Sequence, residues 1–124
     1  MKILLVNKYW YIRGGAERIV FATKKVLEDA GHTVEVFGMH HEKNILSRPF
    51  FAEYIDYKET NIIKKLKYSF RFIYNRQAKK QFEQVVKDFK PDVVHMHNIY
   101  HQLSFSLLSV TKKYKIKTMM TLHD

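Results

Sequence analysis

Four short apolar runs alternate with stretches of helical period, and this alternation restricts the possible folds more than any other feature of the chain. Residues 2–6 (KILLV) are compact, apolar and partly β-branched, which suits a buried strand. Residues 16–30 then carry Ile19, Val20, Ala22, Thr23, Val26, Leu27 and Ala30 at helical spacing, which predicts a helix with that stripe inward. Gly31 supplies its stop. Residues 33–37 form a second strand candidate, with Val34 and Val36 on one side. Residues 39–61 show no clear period and read as a long loop, carrying paired histidines, Pro49 and aromatics. Helical spacing returns at Ile63, Leu66, Phe70 and Ile73, and again at Phe82, Val85, Val86 and Phe89, with a thinning near 75–78 that predicts a kink or break. Lys90-Pro91-Asp92 ends that long helix. Residues 93–96 make a third strand, 103–114 a helix with Leu103, Leu107, Leu108 and Val110 inward, and 116–122 a fourth strand.

The order strand, helix, strand, long helix, strand, helix, strand defines an α/β class: a Rossmann-like parallel sheet of about four strands with helices on both faces. Ligands of such sheets bind beyond the carboxyl ends of the strands. Here those ends are Asn7 onward, Gly38 onward, His95-Met96-His97-Asn98, and His123-Asp124. Polar residues and glycines collect at all of them.

Composition narrows the class. A chain of 124 residues, 46% hydrophobic, can bury one real core. It has no cysteine, which excludes a disulfide framework and thiolate metal sites and agrees with a reducing cytoplasm. The first apolar run is too short for a signal peptide, and no apolar stretch is long enough to span a bilayer, so any membrane contact is expected to be peripheral. The net charge of +10 points to an anionic partner or to a surface of solvated lysines.

Four local motifs carry chemistry. The pair Gly14-Gly15 follows the first strand and opens a helix, so the backbone can adopt geometries closed to side chains and a phosphate can approach the helix's free amides. Glu17 falls in the first turn, where its charge favours the dipole. A plain strand-to-helix turn explains the same residues, and the dinucleotide spacing G-x-G-x-x-G is absent. In HMHN, His95 and His97 share one strand face; with His101 they resemble a zinc set, but no thiolate or suitably spaced carboxylate completes it, so no metal is expected. Hydrogen bonding to backbone or to sugar hydroxyls suits them better, with Asn98 turning the chain. In TLHD, His123 and Asp124 present polar groups at the fourth strand's end or simply cap a turn. Finally, residues 62–90 hold nine basic residues, Lys64, Lys65, Lys67 and Arg71 among them, against only Glu83 and Asp88. Such a helix can lie on an anionic membrane surface, or expose a solvated basic face; no nucleic-acid-binding signature accompanies it.

Taken in order, KILLVN, RGGAER, PDVVHMHN and TLHD resemble the N-terminal domain of family-4 glycosyltransferases of the GT-B fold. The resemblance is collinear over the whole chain and weakest at residues 39–61. It implies a retaining transfer of a sugar from a nucleotide-diphosphate sugar to a saccharide or lipid-linked acceptor, in cell-surface polysaccharide synthesis. By position, Gly14 and Gly15 fall on the family's glycine loop facing the donor phosphates, and His123 on the catalytic histidine near the donor sugar. Glu17, His97, Asn98 and Asp124 are carried over only as crevice-lining. The family's Glu-x7-Glu motif, which belongs to the C-terminal donor-binding half, is absent here. Residues 1–124 therefore read as a single, truncated, acceptor-side domain, inactive alone, with no cofactor beyond the nucleotide-sugar substrate. Its expected location is cytoplasmic, peripheral on the inner membrane face. A freestanding basic module that grips a phosphorylated ligand or nucleic acid is the alternative, and a degenerate fragment docking a partner domain is a third.

Overall fold

The computed structural model describes residues 1–54, 76–99, 103, 106–109 and 110–121. The order is β1 (Lys2–Val6), α1 (Gly15–Asp29), β2 (Thr33–Phe37), α2 (Arg76–Phe89), β3 (Val93–Met96), α3 (Leu107–Lys113) and β4 (Lys117–Met120). All strand pairs are parallel, in the order β2-β1-β3-β4. The Rossmann-like α/β expectation holds.

The topology follows from handedness. The chain steps from β1 to β2 in one direction, then crosses back over β1 to β3 and on to β4. Right-handed crossovers place α1 on one face of the sheet and α2 and α3 on the other. A central strand covered on both faces needs apolar residues without alternation. Ile3, Leu4, Leu5 and Val6 meet that need, and all four are buried. Leu4 sits between Glu35 of β2 and Val94 of β3 in the ladder. The reversal of direction at β1 and β3 leaves a switch point between their carboxyl ends, the place where sheets of this kind bind ligands.

Helix ends explain the turns. Gly31 sits at φ +92 beyond α1. Its N–H reaches Glu28 O at 3.0 Å, and His32 N–H reaches Leu27 O at 3.1 Å, the paired bonds that close a helix through a left-handed residue. Lys115, at φ 54, does the same after α3, its N–H bonding Lys112 O and that of Ile116 bonding Thr111 O. At the far end of α2, the Lys2 ammonium donates to Phe89 O and the Lys2 amide to Asp92, joining the helix exit to the start of β1.

Some expectations need correction. In α1, Val20 is buried and Phe21 and Leu27 pack against the core, but Ile19, Ala22 and Val26 are exposed. The seven expected positions span too wide an arc for one helix–sheet contact, so the sheet takes only part of it. Helix α3 starts at Leu107, not 103, although Leu103 is still buried; β4 covers four residues, not seven. Of the long helix, only Arg76–Phe89 lies among the described residues. Residues 39–54 form no regular element beyond an isolated parallel bridge between Met39 and Ala52, as a loop should.

Candidate functional site

The carboxyl rim of the sheet is tied together by one buried side chain. Asn7, immediately beyond β1, is fully buried. Its Nδ2 donates to Tyr9 O at 2.6 Å, and its Oδ1 accepts the Asn98 amide at 3.1 Å. Around it the strand ends exchange main-chain bonds: Asn7 N–H to Phe37 O, Lys8 N–H to Asn98 O, Met39 N–H to Lys8 O, and His97 N–H to Val6 O. An amide side chain can donate and accept at once, and Asn7 thereby satisfies both neighbours where the chain leaves the sheet. The HMHN corner and the segment after β1 are thereby held against each other at the switch point.

On one side of Asn7 lies Trp10, fully buried, its indole N–H bonded to Phe37 O at 3.0 Å and its ring edge-on to Phe21. Gly38 makes room for it. A Cβ at Gly38 would lie 2.5 Å from Trp10 Cδ1 and 2.6 Å from Asn7 O. On the other side, His95 Nε2 pairs with Thr121 Oγ1 at 2.7 Å, and Thr121 N–H bonds Met96 O, joining the ends of β3 and β4. The His95 and His97 rings lie 4.2 Å apart, on one face as their spacing implies. His97 is only 2% exposed, and Asn98 is half-buried. No group of three or more histidine or acidic side chains suited to a metal occurs among the described residues.

Gly14 is the N-cap of α1 and Gly15 its first residue, both exposed. Their backbone corrects the sequence reading. Gly14 is extended and Gly15 helical, and neither has the positive φ that excludes side chains. What they provide is clearance, since an added Cβ at either would meet nothing within 4 Å. Gly14 has no side chain to cap the helix, and no side chain makes the capping hydrogen bond at this end. Glu17 sits in the first turn and is 5% exposed.

A band of aromatic and charged groups adjoins this loop. The Arg13 guanidinium lies over the Tyr9 ring at 4.2 Å. Burial pushes the Lys8 ammonium below its ordinary pKa; Arg13 adds to this and Glu17 opposes it. Burial likewise raises the Tyr9 phenol, against Arg13, with Tyr11, Tyr54 and Glu17 adding to the rise. Lys8, Tyr9, Tyr11, Arg13, Glu17 and Tyr54 thus share one electrostatic neighbourhood. His41 joins it, stacked on Tyr11 at 4.9 Å and edge-on to Tyr54 at 5.6 Å.

The structure therefore brings Gly14, Gly15, Glu17, His97 and Asn98 to one rim of the sheet. His123, Asp124, Lys64, Lys65, Lys67, Arg71 and His101 lie outside the described residues. Sequence reading missed the organising roles of Asn7 and Trp10 and the aromatic band. The available signal was the run Tyr9-Trp10-Tyr11 directly after a buried strand, followed by the histidine pair after the second.

Among the described residues no helix is long and apolar enough to cross a membrane. The chain is 30% identical over 138 aligned positions to a protein of Klebsiella pneumoniae named "Uncharacterized 42.6 kDa protein in cps region". That alignment takes in 100% of this chain and 37% of the relative, so the chain spans little more than a third of the relative's length. The profile of Glycosyltransferase Family 4 matches residues 13–124, from the glycine loop through the last strand. With that match over nearly its whole length and a parallel sheet of the expected order, this chain belongs to Glycosyltransferase Family 4.

Proposed function

We propose that the chain is the acceptor-side, N-terminal domain of a GT-B glycosyltransferase that moves a sugar, with retention, from a nucleotide-diphosphate sugar to a saccharide or lipid-linked acceptor. The open rim over Gly14-Gly15 carries this reading. It offers helix amides with no side-chain cap and a positive dipole end on the same carboxyl edge of the sheet as His97 and Asn98, and the glycines themselves put no side chain in a phosphate's way. Arg13 and Lys8 offset the charge of Glu17 nearby. In this reading His123 meets the donor sugar, while Asp124, His97 and Asn98 line the crevice. The relative's cps region supports a role in polysaccharide synthesis. A second α/β half would close the crevice, exclude water and hold the nucleotide, so the chain alone binds phosphate weakly and does not turn over. Lys64, Lys65, Lys67 and Arg71 would rest on an anionic inner-leaflet surface, each worth about 1 kcal/mol there. No metal or other cofactor enters this reading.

Gly15→Ala provides the test. The added methyl has free space and sits in a helix, so stability should be unchanged or rise by up to about 1 kcal/mol. A phosphate seated on the first helix amides would meet that methyl, so affinity for a nucleoside diphosphate, measured by calorimetry, should fall. Equal diphosphate affinity in the variant and the parent chain would remove the phosphate loop from the mechanism.

A further inference from the structure

A basic cluster that the transferase reading does not use lies at the amino edge of the sheet. Residues 112–117 (KKYKIK) carry four lysines through the turn from α3 into β4, and Lys87 and Lys90 stand at the end of α2. Between the two helix exits opens a cavity of about 330 Å³, walled by Val86, Pro91, Tyr114 and Ile116 and edged by Lys87 and Lys90. The apolar walls are recessed: Val86 and Pro91 are buried and Tyr114 and Ile116 half-buried, whereas both lysines are exposed. Two features set this cluster apart from an ordinary solvated face. Lys90 and Lys115 each take a left-handed backbone at φ 54, one just past α2 and the other just past α3. The corresponding turn after α1 uses Gly31, which adopts that conformation without strain. At the two exits beside the cavity the chain tolerates the strain and keeps an ammonium. A favourable helix dipole does not require this, because Lys112 and Lys113 already occupy the last turn of α3. The charges are also uncompensated: among the described residues no carboxylate lies within ion-pair distance of Lys90, Lys112, Lys115 or Lys117.

We propose that this edge is a docking site for an acidic protein segment, which seats an apolar side chain among Val86, Pro91, Tyr114 and Ile116 and sets its carboxylates against Lys90 and Lys115. The lining selects among anionic partners. A membrane surface takes apolar side chains that stand proud, and here they are recessed behind lysines. Nucleic acid uses phosphate contacts and free aromatic faces, but Tyr114 is fixed through its hydroxyl to Glu83 and has the Lys113 ammonium over its ring. An apolar recess edged by cations fits an anchor side chain flanked by carboxylates. The lysines continue along the chain beyond the cavity, which suits an extended segment better than a single small anion. The chain's own acids do not compete. Glu83 is held by Lys113 and Tyr114, Asp92 accepts the Lys2 amide, and Asp88 lines a separate cavity with Glu35. The site lies at the other end of the strands from the glycine loop, so a docked partner leaves the carboxyl rim open, and the proposal stands without the transferase reading.

Titration of the isotope-labelled full chain with a synthetic peptide, one leucine between two runs of glutamate, tests this through amide chemical shifts at about 0.15 M salt. Shifts should cluster at Lys90, Lys115 and Ile116. Replacing the leucine by alanine should weaken binding about fivefold, as expected for a half-buried anchor. Lys115→Glu should weaken it about fivefold as well. Lys43→Glu, the same charge change at an exposed position after β2, should leave it unchanged. Lys115→Gly should lower affinity about twofold while keeping or raising the melting temperature, because glycine relieves the left-handed residue. A lysine with a purely structural role would show the stability change without the loss of affinity. Absence of shifts at this edge, equal affinity for the leucine and alanine peptides, or equal loss in the two glutamate variants would overturn the proposal. So would displacement of the peptide by phosphatidylglycerol vesicles or by oligothymidylate, which would assign the edge to a membrane or to nucleic acid.

Discussion

Gly38→Ala isolates the packing that shapes the rim. Gly38 does not have a positive φ, so alanine meets no backbone penalty there and even restricts the unfolded chain slightly. The obstacle is space. The new methyl would lie 2.5 Å and 2.7 Å from two atoms of the Trp10 indole and 2.6 Å from Asn7 O. None of these can retreat easily. The indole N–H is bonded to Phe37 O, the Trp10 amide to Asn44 Oδ1 at 3.0 Å, and Trp10 O accepts from Ile45. Gly38 O itself accepts the Ala52 amide at 2.8 Å. Overpacking of this kind costs about 1–3 kcal/mol, and loss of the indole bond adds about 1 kcal/mol. Against the small entropic gain, a net loss of about 3 kcal/mol is expected, or a fall of roughly 10 °C in melting temperature for a domain of this size.

Urea titration followed by circular dichroism measures the loss, and Trp10, the only tryptophan, reports by fluorescence whether the indole has moved. The decisive comparison is the same substitution in a Trp10→Ala background. Removing the indole leaves, of these three contacts, only Asn7 O close to the new methyl, so Gly38→Ala should cost clearly less there. If Gly38→Ala stays within about 0.5 kcal/mol of the parent, or costs the same in both backgrounds, the steric account is wrong.

Asn7→Ala should destabilise by about 3 kcal/mol in the same titration, because it strips partners from both Tyr9 O and the Asn98 amide at a buried corner. Hydrogen exchange should quicken first at Asn98, the amide that loses its acceptor. Glu83 predicts an acid limb. Hydrogen bonds from Lys113 and Tyr114 hold its carboxyl below the ordinary value of 4.5, against a smaller opposing effect of burial. A depressed pKa contributes stability that is present above the unfolded value and lost as pH falls through the folded one. Glu83→Gln should therefore be less stable than the parent at neutral pH, with the difference closing as melts are run below pH 4.5.

The sheet was readable because a parallel strand covered on both faces leaves an unmistakable run such as Ile3-Leu4-Leu5-Val6, and because Gly31 and Pro91 mark helix exits by their own chemistry. Periodicity failed in α1 for a definable reason. It reports which residues are apolar, whereas burial depends on how wide a face the sheet covers, and Ile19, Ala22 and Val26 fall outside that face. The glycine pair was found by position but misread in mechanism, since clearance and a positive φ leave the same mark in a sequence.

The rim was harder to read, because its organising contacts join residues far apart in the chain. Asn7 bonds Asn98, Trp10 fits against Gly38, and Tyr11 stacks on His41, each pairing the segment after one strand with the segment after another. Local pattern cannot reveal such pairs, but parallel topology makes them unavoidable: every strand exits at the same edge, so post-strand segments distant in sequence must share one space. Within that space the demands on each residue are specific. The strand exit needs a buried side chain that donates and accepts, the indole needs a neighbour without a Cβ, and Tyr11 needs a ring to stack on. In an α/β chain the residues one to five positions beyond each strand should therefore be read together, as one list, before any is assigned a role of its own. Here that list sets Asn7 and Trp10 beside Gly38, Met39, His40 and His41, and beside His97 and Asn98. Extended to Tyr11, it contains both partners of the Asn7–Asn98, Trp10–Gly38 and Tyr11–His41 contacts.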